Sequence, residues 1–134
     1  MFEPVLYILM RNDLASLNPG KACAQAGHAA NQFAHKVANS DNESAKRAFD
    51  EWASQVPGCG FGITIVLEAS GTTIYEKVCA AQKFGLVADM VIDPTYPVRD
   101  GDVTHLINIR TCGYIFIGED TDPSNITDDL PLMR

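Results

Sequence analysis

Lys21, Gln25 and His28 stand at i, i+4 and i+7 within Asn18-Pro-Gly-Lys-Ala-Cys-Ala-Gln-Ala-Gly-His-Ala-Ala. On a helix that spacing puts three polar side chains on one face. Lys21 falls in the first turn, where a cation opposes the helix dipole. Beside Gly20 and free backbone N–H groups, it points to an anion site. A primary ammonium there suits a developing oxyanion or a phosphate. Asp93 is the candidate carboxylate. It closes the apolar run Leu86 to Ile92, and α/β sheets place their ligand crevices at strand ends. Asp93 orients Lys21, activates a water, or only initiates an Asp-Pro turn. His28 lies roughly 10 Å beyond Lys21 along the helix axis. It therefore serves a different atom, either in catalysis or as a structural hydrogen bond to the first loop. Gln25 contacts a substrate, ties down Asn12 and Asp13, or is simply a buried polar contact.

Other chemistries fit worse. His28 and His35 share a face, but no third ligand stands at metal spacing. No Gly-x-Ser-x-Gly elbow exists, and Cys23 has no base that the sequence places beside it. Gly58-x-Gly60-x-Gly62 precedes a strand rather than following one, which defeats a dinucleotide reading.

The elements that position these residues follow from periodicity. Val5 to Met10 is an apolar strand. A helix starts near Pro19 with Asn18 as N-cap and fades near Ala38. Ala22, Ala26, Ala29, Ala30, Phe33 and Val37 form its apolar face, small enough to lie close against a sheet. Asp41 or Asn42 caps a second helix to about Gln55, with Trp52 in the core. Phe61 to Leu67 reads as a strand covered on both faces. A third helix spans about 73 to 84, with Ile74, Val78, Ala81 and Phe84 on its buried stripe and Gly85 ending it. Strands follow at Leu86 to Ile92 and at Tyr114 to Ile117. The long connection between them carries a turn signal at Asp100-Gly101, room for a small hairpin. The pattern predicts a three-layer α/β sandwich, a mixed four-stranded sheet with helices on both faces.

The 134 residues suit one domain spanning the chain, with 119–134 as an acidic tail that is extended, docked or partly disordered. Apolar runs reach only about six residues, too short to cross a bilayer. No basic region with a long apolar stretch opens the chain, so no signal peptide is expected. Cys23, Cys59, Cys79 and Cys112 make no C-x-x-C pair and read as reduced cytoplasmic thiols. Cys23 and Cys79 are expected to pack. Net charge is −7; residues 1 to 40 hold Arg11, Lys21 and Lys36 against Glu3 and Asp13, a net of +1, leaving −8 elsewhere. Such a chain does not bind nucleic acid non-specifically. An RNA ligand has to be held locally, on the face built by the first helix.

Arg11-x-Asp13-Leu14 followed by Gly20-Lys21-x-x-Ala24-Gln25-x-x-His28-Ala29 resembles the signature of the archaeal and eukaryotic type of peptidyl-tRNA hydrolase. The strand ending Val91-Ile92-Asp93 fits the same layout, and the resemblance covers most of residues 5 to 118. It implies hydrolysis of the ester joining a peptide, or an N-blocked aminoacyl group, to the 3′ end of tRNA. It also implies an enzyme with no metal or organic cofactor, of a family that is generally dimeric, so a homodimer is expected. The resemblance places the functional lysine on Lys21, the aspartate on Asp93 and the histidine on His28. Gly20, Gln25, Asn12, Asp13, Thr95 and Thr111 complete the candidate substrate-binding set. The chain departs from the family where Asp93-Pro94-Thr95-Tyr96-Pro97 replaces Asp-Ala-Gly-x-Thr. Gly113 stands where the family has a second threonine, and Thr95 and Thr111 are the available substitutes. Two rivals share the fold: a binding module whose altered 94–113 segment serves another partner, and an esterase for a different small acyl compound.

Overall fold

The computed structural model describes residues 3–118 and 126–134. Its elements run β1 (Val5–Arg11), α1 (Pro19–Ala38), α2 (Glu43–Ala53), β2 (Thr64–Ala69), α3 (Gly71–Lys83), β3 (Val87–Asp100) and β4 (Val103–Ile117). The four strands form one sheet in the order β2-β1-β4-β3. β1 pairs parallel with β2 and antiparallel with β4, and β3 and β4 form an antiparallel hairpin. The sheet is therefore mixed, and helices cover both of its faces.

β1 shows why. Leu6, Ile8 and Met10 point to one face and pack with Ala22, Ala29, Phe33 and Val37 of α1, and with Trp52 of α2. Leu9 points to the other face and packs with Ile74, Val78 and Ala81 of α3. A central strand buried on both sides reads as a continuous apolar run. Alanines on α1 let its axis approach the sheet, and Phe33 fills the space beyond them against Phe116, Phe49 and Trp52.

The helix starts follow their caps. The Asn18 side chain accepts from Lys21 N at 2.9 Å, Asn42 accepts from Ala45 N, and Ser70 accepts from Thr73 N. Each satisfies one of the orphan N–H groups of a first turn. Gly62 is needed for a close approach: a Cβ there would lie 2.2 Å from the Trp52 carbonyl oxygen.

Several expectations need correction. β2 begins at Thr64, and Phe61 and Ile63 are exposed. It is an edge strand, with its outer edge partly covered by the C-terminal residues. Pro131 O accepts from Glu68 N, and Met133 N donates to Val66 O. The tail thus docks at 131–133, while the part expected at 119–125 lies outside the described residues. Phe84 is exposed just beyond α3 rather than on its buried stripe. Cys23 is exposed on α1, not packed. The largest correction concerns the long connection after Ile92. It is not an open loop but two strand arms with two register shifts in their ladder, and the hairpin expected near Asp100-Gly101 closes at Gly101-Asp102. Pro94 and Pro97 are tolerated because β3 is the sheet's outer strand, where a missing N–H breaks no ladder on the solvent side.

Candidate active site

Two irregularities in the β3–β4 ladder build the site. Val91 pairs with Cys112 but Ile92 pairs with Arg110, so Thr111 is an extra residue in β4. Asp93 pairs with Ile109 and Tyr96 with Ile107, so β3 carries one extra residue between them. A bulge cancels the two-residue alternation of a strand. Thr111 and Cys112, though adjacent, therefore both face α1: Thr111 Oγ1 donates to Gln25 Oε1 at 2.6 Å, and Cys112 Sγ donates to Gln25 O at 3.6 Å. Asp93 and Tyr96, three apart, share that face for the same reason.

Against this surface lies the polar row of α1. Gln25 is 3 % exposed and Asp93 is 8 % exposed. Gln25 Nε2 donates to Asp93 Oδ2 at 2.8 Å. Both backbone N and Oγ1 of Thr95 donate to Asp93 Oδ1, each at 2.9 Å. His28 Nε2 stands 3.9 Å from Asp93 Oδ2, and its ring is about half exposed. Burial pushes the Asp93 carboxyl up, but the Gln25 bond, the two Thr95 bonds and His28 outweigh it. The net effect holds Asp93 below the usual aspartate range, ionised at neutral pH.

Lys21 also meets β3, nearer the start of α1. Its Nζ donates to the Pro97 carbonyl at 2.7 Å and lies 5.0 Å from the centre of the Tyr96 ring. Tyr96 is fully buried, and its hydroxyl hydrogen-bonds Ser16 Oγ at 3.0 Å. Among the described residues Lys21 and Asp93 form no ion pair with each other. Of the roles open to Asp93, orienting Lys21 has no contact behind it. Pro97 and Tyr96 hold the ammonium instead. An ammonium has three donors, and among the described residues one is committed, to Pro97.

The remaining candidates divide. Thr95 is exposed beside Asp93, whereas Thr111 is fully buried beneath Gln25. Gln25 does not tie down the first loop: its amide oxygen and nitrogen are engaged by Thr111 and Asp93. Asn12 and Asp13 are exposed and fixed from the α3 side. Asn12 N donates to Ala69 O, Arg11 Nε to Asp13 Oδ1, and Gly71 N to Asp13 Oδ2. Gly20 is exposed at the start of α1, and a Cβ there would meet only Asn18 Oδ1, at 3.5 Å. Burial pushes the Cys112 thiol up to about 12, against a weaker opposing bond from Thr111, so it is no thiolate nucleophile. Among the described residues no three His, Cys, Asp or Glu side chains gather as a metal site.

The sequence model of the family described as peptidyl-tRNA hydrolase PTH2 matches residues 4–133. The chain belongs to the peptidyl-tRNA hydrolase PTH2 family. No protein with a curated description matches it. Membership of the PTH2 family sets peptidyl-tRNA hydrolase activity as its family-level function. Within this PTH2 chain, Ser16, Tyr96 and the Pro97 carbonyl join the candidate site through Lys21, and the sequence did not disclose them. Tyr96 stands three residues past Asp93, and strand parity assigns those two positions to opposite faces. Only the bulge brings them together.

Proposed function

We infer that this protein hydrolyses the ester between a peptide, or an N-blocked aminoacyl group, and the 3′ end of tRNA. The observation that carries this reading is the polar row where α1 meets β3, with the Lys21 ammonium held on Pro97 at one end and the buried, ionised Asp93 carboxylate, bonded to Gln25 and facing His28, at the other. Ester hydrolysis needs a positioned water and a donor for the oxyanion. An aspartate with a lowered pKa is a weak base at neutral pH, because general-base efficiency peaks near the working pH. Asp93 therefore serves the water indirectly. Its carboxylate faces His28 Nε2 at 3.9 Å, and neutral His28 takes the proton from water as the carbonyl is attacked. Lys21 gives its free N–H donors to the developing oxyanion. The ribose 3′ oxygen then leaves with the proton from His28, and free tRNA and free peptide result. Thr95 borders the site beside Asp93, and Thr111 and Gln25 hold Asp93 in place.

No metal or organic cofactor enters this scheme. It carries a cytoplasmic setting with it, and a homodimer that sedimentation in solution would check. The test is release of the acyl group from N-acetylated aminoacyl-tRNA by the pure protein, alongside Lys21→Ala and Asp93→Ala. Release by the wild type and its loss in both variants supports the reading. Unchanged release in both overturns the assigned roles. Tight tRNA binding without release favours the binding-module rival.

A further inference from the structure

We propose that Tyr96 is the positioning residue of Lys21: its buried ring is the seat on which the ammonium is held toward the substrate. The inference rests on the hydrolase reading above and adds a residue to it. Three observations combine. The Tyr96 ring centre lies 5.0 Å from Lys21 Nζ, within the range of a cation–π contact. The ring itself cannot swing away, because Tyr96 is fully buried and its hydroxyl is bonded to Ser16 Oγ at 3.0 Å. The neighbouring Pro97 carbonyl accepts from the same Nζ at 2.7 Å.

The arrangement answers a problem of placement. Lysine is a flexible stem with a point charge at its end. At the first turn of α1 it also faces an unfavourable dipole. A ring face and a carbonyl, supplied by consecutive residues of β3, fix that charge without neutralising it. No carboxylate pairs with Lys21 among the described residues, so its positive charge stays available to an anionic oxygen. The extra residue in β3 is what turns Tyr96 to this side. The segment Pro94-Thr95-Tyr96-Pro97 thus carries a built support. Ser16 extends the support into the loop that precedes α1, so the ring links the strand to the start of the helix that bears Lys21.

The experiment uses the full chain with Tyr96→Phe, Tyr96→Leu, Lys21→Ala and the double variant Tyr96→Leu/Lys21→Ala. Kinetics on N-acetylated aminoacyl-tRNA are combined with NMR of the Lys21 side-chain protons. Tyr96→Phe keeps the ring and is expected within about twofold of wild type. Tyr96→Leu is expected to lower activity roughly tenfold, the scale of one desolvated cation–π contact. The loss should appear in the same kinetic constant that Lys21→Ala affects. In the double variant it should add nothing to the loss from Lys21→Ala alone. The Lys21 methylene signals should show a ring-current shift in wild type and Tyr96→Phe that vanishes in Tyr96→Leu. Full additivity in the double variant, or Lys21 signals with no ring-current shift in the wild type, overturns the proposal. If the wild type releases no acyl group, the hydrolase reading falls; if Lys21→Ala keeps full activity, the role given to Lys21 falls and the proposal with it. If Lys21→Ala is inactive and folded Tyr96→Leu is fully active, only the role of Tyr96 falls. Should Tyr96→Leu not fold, the wild-type ring-current shift still decides.

Discussion

Thr111 donates its hydroxyl hydrogen to Gln25 Oε1 at 2.6 Å, and that bond settles which end of the Gln25 amide meets Asp93. An amide has one accepting and one donating end. With the oxygen taken by Thr111, the nitrogen is left to donate to the carboxylate at 2.8 Å. Thr111 thus acts on Asp93 through Gln25, from a position no substrate reaches. Thr111→Val keeps the shape and removes the donor. The buried Gln25 oxygen is then unpaired, at a cost of about 1–3 kcal/mol. Thermal unfolding should show the loss, and Thr111→Ser should restore most of it.

Lys21→Ala should lower activity about 100- to 1000-fold, the usual effect of losing one oxyanion donor. Steady-state kinetics separate the two tasks open to the ammonium. A fall in kcat assigns it to the oxyanion, where the interaction forms only in the transition state. A loss confined to KM would move Lys21 to the phosphates of the acceptor end. Lys21→Arg should recover little, because a planar fork fits neither the Tyr96 seat nor the single Pro97 carbonyl as the ammonium does.

The helical half of this site was legible in the sequence, and the strand half was not. Asn18, Pro19 and the alanines fix where α1 begins and which face it buries, so the row Lys21, Gln25 and His28 follows from a period of 3.6. Asp93 followed from its place after an apolar run. The segment after Ile92 read as a long connection with room only for a small hairpin, which hid a strand that continues through Pro94 and Pro97 to Asp100. Proline breaks a strand only where its N–H would pair, and an outer strand has a side where nothing pairs. The two bulges were invisible for a different reason. Side-chain parity is read by counting residues, and an inserted residue shows only when two strands are aligned. Tyr96 was missed on that account, and Thr111 was assigned to substrate although it lies under Gln25. Cys23 misled through its alanine neighbours: it falls one position past Ala22, on the side of α1 turned to solvent.

Gly62→Ala should destabilise the protein without touching the chemistry. The added Cβ would meet the Trp52 carbonyl oxygen at 2.2 Å and the Gln55 amide oxygen at 2.3 Å. Backbone at one of those contacts cannot yield cheaply, and overpacking of this kind costs about 1–3 kcal/mol. Trp52 Nε1 also donates to Ile63 O at 2.8 Å, so the shift would strain the start of β2. A lower unfolding temperature with an unchanged kcat at 20 °C below it is the expected pair of results.

The pH response should be governed on the acid side by Asp93. Burial alone would raise its pKa, but the bonds from Gln25 and Thr95 and the nearby His28 bring it below the usual value. A folded-state pKa below the unfolded one means that ionised Asp93 stabilises the fold. That contribution is complete above the unfolded value, about pH 4, and is lost as pH falls through the lower folded value. Gln25→Leu removes one of the bonds that lower the pKa and leaves the burial in place. The folded pKa must then climb, and the loss of stability on acidification must begin at higher pH. An NMR titration of the Asp93 carboxyl carbon, run on wild type and Gln25→Leu, measures both values directly. The variant should titrate at higher pH than the wild type. If the two curves superimpose, Gln25 does not hold the ionised carboxylate, and the bond seen between them contributes nothing to its charge.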